Sequence, residues 1–265
     1  MNNLMDAPPT STSPLCNRVA GRNLTGSVLP RASLTSADRD RMYALLAAYF
    51  AGTDRNRFDA DLDEKESVVL LRERDTGEVQ GFSTFMRIEI PVNERQIVAF
   101  FSGDTIVAAQ HWGESILSPL WSQTVFAEAD RIVADRPATQ VFWFLICSGY
   151  KTFRFLPVFF RNFYPNPNSP TPDEVQRIVD ALGTAKFGHR YDPASGIVRF
   201  EKATPLRQGV ADISEQRLRD PLVAFFAAKN PGHARGDELA CLTAISRSNL
   251  TRAGERMVGL KRSFA

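Results

Sequence analysis

The chain has 265 residues, 43% of them hydrophobic and 23% charged, so it is long enough and apolar enough to bury one large core. Its formal net charge is +2 and it contains no run of Lys and Arg, which argues against a nucleic-acid partner. The longest apolar stretches, such as residues 141–147, are much shorter than the roughly 20 residues of a membrane-spanning helix, so we expect no transmembrane segment. No secretory leader is recognisable, and the expected location is cytoplasmic.

The first half of the chain predicts a strand, a helix and a group of antiparallel strands. Residues 1–27 are rich in Pro, Ser, Thr, Asn and Gly and are expected to be a loosely ordered tail. A short strand near residue 28 leads into a helix that Thr35 or Ser36 caps and that ends before Gly52. Residues 66–90 predict a hairpin that turns at Asp75-Thr76-Gly77, and a further strand follows at 97–109.

The middle of the chain predicts two helices around a buried strand. Ser118 and Pro119 are suited to the cap and first residue of a helix that runs to about residue 135. Residues 141–148 are apolar on every side, which is typical of a strand buried on both faces. The aromatic spacing of residues 149–165 predicts another helix, which Pro157 kinks or splits.

The last third of the chain predicts a helix, a hairpin and a helical extension. The helix covers residues 173–188, and the hairpin turns between Asp192 and Gly196. Residues 204–265 are expected to form a helical C-terminal extension that covers one side of the domain or contributes to a homodimer. The predicted fold class is therefore mixed α/β, with a mostly antiparallel central sheet flanked by helices.

The bend after the strand at 97–109 carries a partial motif. Gln110, Gly113 and Ser115 match the Q/R-x-x-G-x-G/A pattern, with Ser in the last place. With this order of elements, residues 28–203 resemble the GNAT superfamily of N-acyltransferases, which use acyl-CoA. Some relatives with GNAT-like folds, including N-acyl amino acid synthases, take the acyl group from a carrier protein.

The resemblance implies a binding site for the phosphates of a pantetheine thioester, either acyl-CoA or acyl-phosphopantetheine. The donors would be the backbone amides from His111 to Ser115, including those of Trp112 and Gly113, next to the start of a helix. The pantetheine arm would lie between two strands that part, residues 98–109 and 141–148. Glu114 places a negative charge in this loop, where it would repel an anion unless its side chain points outward.

Acyl transfer to an amine requires a base, stabilisation of an oxyanion, and a proton for the thiolate that leaves. The resemblance implies Asp104 as the base, since it lies on the strand that often carries the base in the family. It implies Tyr164 as the proton donor, with Tyr150 as the alternative, and Glu114 completes the candidate catalytic residues. The alternative interpretation is that Asp104 is a solvated carboxylate and that the rings of Tyr150 and Tyr164 simply pack in an aromatic cluster.

The cationic residues and the aromatic excess bear on the partners. Lys151 and Arg154, on one face of the predicted helix with Arg161, could meet the phosphates of CoA or an acidic acyl carrier protein. Ten of the 24 residues at 141–164 are aromatic, which slightly favours a long acyl chain over acetyl. The expected acceptor is a small-molecule or peptide amine. The alternative is a GNAT-like binding or regulatory module without catalysis.

A metal site is not expected, because Cys16, Cys147 and Cys241 form no CxxC pair. His189 and His233 have no further ligand at a suitable spacing. His111 is expected to be a surface loop histidine. The acidic residues at 58–64 lack the glycine and the terminal glutamate of a calcium loop and are expected to form a solvated turn.

Overall fold

The computed structural model describes residues 18–259. The strands of this part of the chain are β1 (Arg18–Ala20), β2 (Leu24–Pro30), β3 (Ser67–Glu73), β4 (Val79–Val92), β5 (Arg95–Val107), β6 (Gln140–Cys147), β7 (Tyr191–Asp192), β8 (Ile197–Val198) and β9 (Glu238–Ala244). Its α-helices are α1 (Ser36–Tyr49), α2 (Arg55–Asp63), α3 (Leu117–Asp135), α4 (Tyr150–Phe153), α5 (Phe155–Phe159), α6 (Asp173–Phe187), α7 (Pro221–Lys229) and α8 (Arg252–Met257).

The nine strands form a single sheet in the order β1-β2-β3-β4-β5-β6-β9-β8-β7. Every neighbouring pair is antiparallel except β5 and β6, which run parallel. This pair is joined by α3, because parallel strands need a crossover connection. The predicted mixed, mostly antiparallel sheet with flanking helices is confirmed.

Helices cover both faces of the sheet. On one face, α3 buries Leu120, Val125 and Phe126 against strands β2 to β6. On the other face, α1 and α2 pack on β3, β4 and β5, while α6 packs on β5, β6 and β9. Aromatic rings fill these cores: Phe144 and Phe153 are fully buried, and Phe153 stacks with Phe163 and Phe226.

Local chemistry explains where two predicted elements begin and turn. Thr35 caps α1 in a capping box with Asp38, in which each side chain accepts a hydrogen bond from the other residue's backbone N–H. Gly77 adopts φ of +73° in the turn between β3 and β4, a conformation that glycine reaches without strain. The predicted cap and the predicted hairpin are confirmed.

The N-terminal part of the sheet begins earlier than we expected. The tail was expected to reach residue 27, but β1 and β2 already form a hairpin, and Leu24 is fully buried against α3. The apolar residues of this hairpin are buried by α3, which lies far away in the chain, so no local pattern predicted strands before residue 28. The remaining part of the expected tail, residues 1–17 with Cys16, lies outside the described residues.

The helix predicted at 149–165 is split, as expected, but it is shorter than predicted. The chain forms the short helices α4 and α5, which meet at Arg154, and helix ends at Phe159. Pro157 has no N–H to donate to the Phe153 carbonyl, four residues earlier, and it lies in the first turn of α5, so the break comes before it, at Arg154. Phe160 and Tyr164 instead form bridges with Leu250 and Leu242.

The C-terminal helical extension was also wrong in one respect. Residues 204–259 include α7 and α8, but they also supply β9, which lies between β6 and β8 near the centre of the sheet. A short run that is buried on both faces gives no periodic signal to separate strand from helix. The C-terminal segment therefore completes the main sheet.

The start of α3 differs by two residues from the prediction. The helix begins at Leu117, Ile116 takes the cap position, and no side chain caps the first turn.

Cys147 and Cys241 are buried free thiols on β6 and β9, with their Sγ atoms 3.8 Å apart.

Candidate functional site: the gap between two parallel strands

The two parallel strands of the sheet part near their carboxyl ends. Their pairing runs from Ile97–Gln140 to Ser102–Leu145 and then stops. Beyond this point β5 continues beside β4 as far as Val107, while β6 continues beside β9 as far as Cys147. We call the space between residues 103–107 and 146–149 the gap. It lies at the position that the resemblance implied for a pantetheine arm.

A β-bulge lies at the point where the strands part. Gly103 and Asp104 on β5 face the single residue Thr84 on β4, since the register passes from Phe85–Ser102 to Ser83–Thr105. A Cβ atom on Gly103 would lie 2.5 Å from Thr84 Oγ1 and 2.7 Å from Lys65 Cε. The bulge therefore lies directly against Lys65 and positions Asp104 beside the gap.

Four charged side chains gather around the bulge, and we call them the gap cluster: Asp61, Lys65, Asp104 and Glu238. The Lys65 side chain is fully buried, and its Nζ lies 2.7 Å from Asp61 Oδ2 and donates to the Asp61 carbonyl oxygen at 2.9 Å. Glu238 opens β9, on the far side of β6 from Asp104. Neither Asp104 nor Glu238 forms an ion pair with any residue in the described range 18–259.

The pKa values of Asp104 and Glu238, the two carboxyl groups without an ion pair, are both raised. Loss of water raises the pKa of Asp104 to about 7, and the Asp61 charge adds to this while Lys65 opposes it. Loss of water also raises the pKa of Glu238 to about 8; a hydrogen bond with Ser148 opposes the rise, and the charges of Asp104 and Asp61 add to it. A carboxyl group with a pKa near 7 can accept a proton at neutral pH and release it again.

The gap cluster was only partly found from the sequence. Asp104 was singled out there, whereas Lys65 and Glu238 were missed, and Asp61 was assigned to a solvated turn. That acidic segment in fact belongs to α2, where Phe58 and Leu62 are buried in the core. The i,i+4 spacing of Asp61 and Lys65 was the available signal for their pairing, but no pattern in the sequence connects Glu238 to them.

The loop between β5 and α3, residues 108–116, turns its carboxylate inward. Glu114 accepts hydrogen bonds from the backbone N–H groups of Asn23 and Leu24 and from the Asn23 amide side chain, at 2.9–3.2 Å. These bonds, led by the Asn23 backbone N–H, lower the pKa of Glu114 to about 2. Glu114 therefore anchors the β1–β2 hairpin, and these three bonds hold its carboxylate against that hairpin.

His111 belongs to the same anchor. It is 6% exposed, and its Nδ1 lies 3.2 Å from Glu114 Oε1, so the expected surface histidine was wrong. The negative charge of Glu114 is already stabilised by the N–H groups of Asn23 and Leu24 that donate to it. The expected repulsion between Glu114 and a bound anion is reduced because these donors already surround the carboxylate.

Most of the loop amides proposed as phosphate donors are already in use. The N–H groups of His111, Trp112 and Glu114 donate to the carbonyl oxygens of Ala108, Ala109 and His111. Within the described part of the chain, the N–H groups of Gly113 and Ser115 donate to no acceptor, and both residues are exposed. A Cβ atom on Gly113 would have no neighbour within 4 Å, so this part of the loop is open.

The two sides of the gap are linked above by Trp112 and Lys151. Lys151 Nζ, from the helix after β6, lies 4.3 Å from the centre of the Trp112 ring. Trp112 is 52% exposed and donates from Nε1 to the Val107 carbonyl oxygen. Gln110 lies earlier in the loop, and its Nε2 donates to Gln80 Oε1. Trp112 and Lys151 are thus placed at the mouth of the gap.

The remaining candidate residues, Tyr150, Arg154 and Tyr164, all follow β6 in the chain. Tyr150 opens α4 directly after β6 and is 2% exposed, with Arg217 stacked over its ring at 5.4 Å. Tyr164 lies along the opposite edge of β9, where its backbone pairs with Leu242. Arg154 is exposed and lies 3.8 Å from Asp220 Oδ2. Of the two tyrosines, Tyr150 is the one at the carboxyl end of β6.

Neither a metal site nor a membrane-spanning helix is present among the described residues. Among residues 18–259, no group of three or more His, Cys, Asp and Glu side chains is arranged to hold a metal ion. The described helices include none with the length and apolar character needed to cross a membrane.

Comparison with solved structures finds acyltransferases. Glucosamine-6-phosphate N-acetyltransferase from Arabidopsis thaliana is 14% identical, with a TM-score of 0.33 over 49% of this chain and 87% of the other. The GNAT family N-acetyltransferase YhbS from Escherichia coli, solved in complex with CoA, is 17% identical, with a TM-score of 0.31 over 54% of this chain and 70% of the other. No protein-family model and no curated protein sequence matches the chain.

A third neighbour is longer. A probable N-acyltransferase from Enterococcus faecalis is 10% identical, with a TM-score of 0.38, and the match covers 52% of this chain but only a third, 33%, of that protein. GNAT-family enzymes are thus among the solved structures that this chain resembles. At these identities and TM-scores the likeness carries no argument about activity, so the functional argument rests on the gap and its side chains.

Proposed function

We propose that this protein transfers an acyl group from a pantetheine thioester to a primary amine in the gap between β5 and β6. The observation that carries the proposal is the bulge at Gly103–Asp104, where the two parallel strands part and a carboxyl group with a pKa of about 7 lies beside the opening. A thioester arm in the gap would replace the missing strand pairing, and Asp104 would lie next to its carbonyl group.

The reaction needs no covalent intermediate on the protein. Ionised Asp104 removes a proton from the acceptor ammonium group, and the amine nitrogen then attacks the thioester carbonyl carbon. The tetrahedral intermediate collapses to an amide, the carbon–sulfur bond breaks, and the thiolate leaves. We assign the proton for this thiolate to Tyr150, the tyrosine at the carboxyl end of β6, and its phenolate then takes the second proton that the amine nitrogen loses as it becomes the amide.

The loop and its surroundings favour a donor that carries a single phosphate on a carrier protein. Of the amides from His111 to Ser115, those of Gly113 and Ser115 donate to no acceptor in the described part of the chain, and two open amides suit one phosphate better than a pyrophosphate. Beside the mouth of the gap, α4 and α5 expose Lys151 and Arg154 together with Phe155 and Val158, which are 41% and 46% exposed. Cationic and apolar groups in one patch suit an acidic carrier protein.

The test is an assay of free thiol release with butylamine as the acceptor. Acetyl-CoA, a long-chain acyl-CoA and acyl carrier protein loaded with either acyl group are compared as donors. We expect thiol release that depends on the amine, with a matching amide product by mass spectrometry, and faster turnover with the carrier protein. Absence of amide from every donor would overturn the proposed activity, and faster turnover with CoA would overturn the choice of donor.

A binding module without catalysis is the second candidate, and the burial of Tyr150 favours it, because a side chain that is 2% exposed must be uncovered before it can give a proton to a thiolate. The same donors would then raise the melting temperature of the protein without any release of thiol. Asp104→Asn separates the two functions, because an enzyme loses its turnover in this variant, whereas a module keeps its thermal shift unchanged.

A further inference from the structure

The charges around the gap do not balance. Lys65 and Lys186 both lie over the ring of Phe101, with their Nζ atoms 5.8 and 5.3 Å from its centre. Each is already paired, Lys65 with Asp61 and Lys186 with Glu64. These four side chains, from α2, the residues just after it and α6, therefore cancel one another.

Asp104 and Glu238 are what remains. They approach this region from β5 and β9, on the two sides of β6, and no cation in residues 18–259 pairs with either of them. Both residues are half-buried, and their strands are separated only by β6, so two carboxyl groups placed in this way are costly to ionise together. A bound cation would remove that cost.

A buried hydroxyl group at the same place also lacks a partner. Thr84 is 2% exposed, and its Oγ1 forms no hydrogen bond within the described structure. It faces the bulge next to Lys65 Cε, on the side of the sheet that carries the gap cluster. Since buried hydroxyl groups normally have partners, its free oxygen is an acceptor available to an N–H group.

We propose that the acceptor is a cationic amine, such as a diamine or polyamine, with one nitrogen at Asp104 for acylation and a second ammonium group held by Glu238. This inference rests on the proposed function and specifies its acceptor. Asp104 and Glu238 lie on strands at the two sides of β6, so a cation that reaches both carboxyl groups has to extend across that strand.

The same charges select against an amino acid acceptor. An α-carboxylate next to Asp104 would need an unpaired Arg or Lys there, and the two lysines over Phe101 already have carboxylate partners. Lys151 has no carboxylate partner within residues 18–259, but it lies over Trp112 at the mouth of the gap. An anionic acceptor would add a further negative charge beside Asp104 and Glu238, so the inner part of the gap favours a cationic acceptor over an amino acid.

The test compares three acceptors of matched length: 1,4-diaminobutane, butylamine and 4-aminobutanoate. They differ only in a cationic, neutral or anionic far end. We expect kcat/KM to be about tenfold higher for the diamine than for butylamine, which corresponds to one ion pair, and lowest for 4-aminobutanoate. Equal values for the diamine and butylamine, or a preference for 4-aminobutanoate, would overturn the inference and leave the acyltransferase proposal intact.

Glu238→Gln locates the effect. The variant should lose the preference for the diamine over butylamine, whereas Glu215→Gln, a control at an exposed loop carboxylate, should keep it. If no amine is acylated, the proposed function fails, and the thermal shift with 1,4-diaminobutane alone decides the inference. A rise in melting temperature that Glu238→Gln abolishes would support the cation site, and no rise would overturn it.

Discussion

The loop at residues 108–116 and the gap cluster both place carboxylates near the ends of strands, yet the surroundings of these carboxylates are opposite. Glu114 is surrounded by N–H donors from Asn23 and Leu24, which lower its pKa. Asp104 and Glu238 have no ion-pair partner within residues 18–259, and their pKa values are raised. A carboxylate whose bonds are all supplied by the protein stabilises the fold, whereas a carboxylate left short of partners is available to a ligand.

Asp104→Asn should give the largest effect on activity. Loss of the base should lower kcat by about 10²- to 10⁴-fold. The folded protein should be at least as stable as the wild type, because a carboxyl group that is costly to ionise has been removed. Turnover measured beside urea unfolding checks both points. A variant that keeps its activity, or that loses it only because it unfolds, would make Asp104 a structural residue like Glu114.

The pH dependence should show the same contrast. Since Asp104 must be ionised to accept a proton, kcat/KM should rise as pH increases through about 7. Stability should change in the opposite sense, because the raised pKa values of Asp104 and Glu238 make the folded state costlier as pH rises from about 4 towards 8. A pH–rate profile and unfolding at several pH values test this. A flat profile between pH 6 and 8 would contradict the assignment.

Glu114→Gln should act on stability. Hydrogen bonds to a charged group contribute about 2 kcal/mol, so the free energy of unfolding at pH 7 should fall by about that amount. The lowered pKa means that this contribution is present above about pH 4.5 and is lost as pH falls towards 2. Chemical denaturation of Glu114→Gln beside the exposed control Glu215→Gln measures it. A loss of the same size in both variants would remove the anchoring role of Glu114.

Two glycines allow a direct comparison of packing, and one of them gives the smallest effect. Gly103→Ala should cost about 1–3 kcal/mol, because its new methyl group meets Thr84 Oγ1 and Lys65 Cε at 2.5 and 2.7 Å. Gly113→Ala should change stability by less than about 0.5 kcal/mol, because its methyl group enters open space. Thermal unfolding of the two variants tests the difference, and equal costs would mean that the bulge is less tightly packed than described.

Local patterns predicted the elements whose signals lie within a few residues. The cap at Thr35 and the turn at Gly77 depend on neighbours in the chain, and both were found. Glu114 and Asn23 are 91 positions apart, so the sequence could show only that a charge was present in the loop. Glu238 could not be placed beside Asp104, because that relation depends on β9 entering the sheet, and its short buried run did not reveal a strand.

A crystal structure of the protein with a bound acyl-pantetheine donor tests the central claim most directly. We expect the pantetheine arm to lie between residues 103–107 of β5 and the end of β6, with the thioester carbonyl beside Asp104 and a phosphate on the amides of Gly113 and Ser115. A donor bound elsewhere on the protein, with the gap closed by protein side chains, would contradict it.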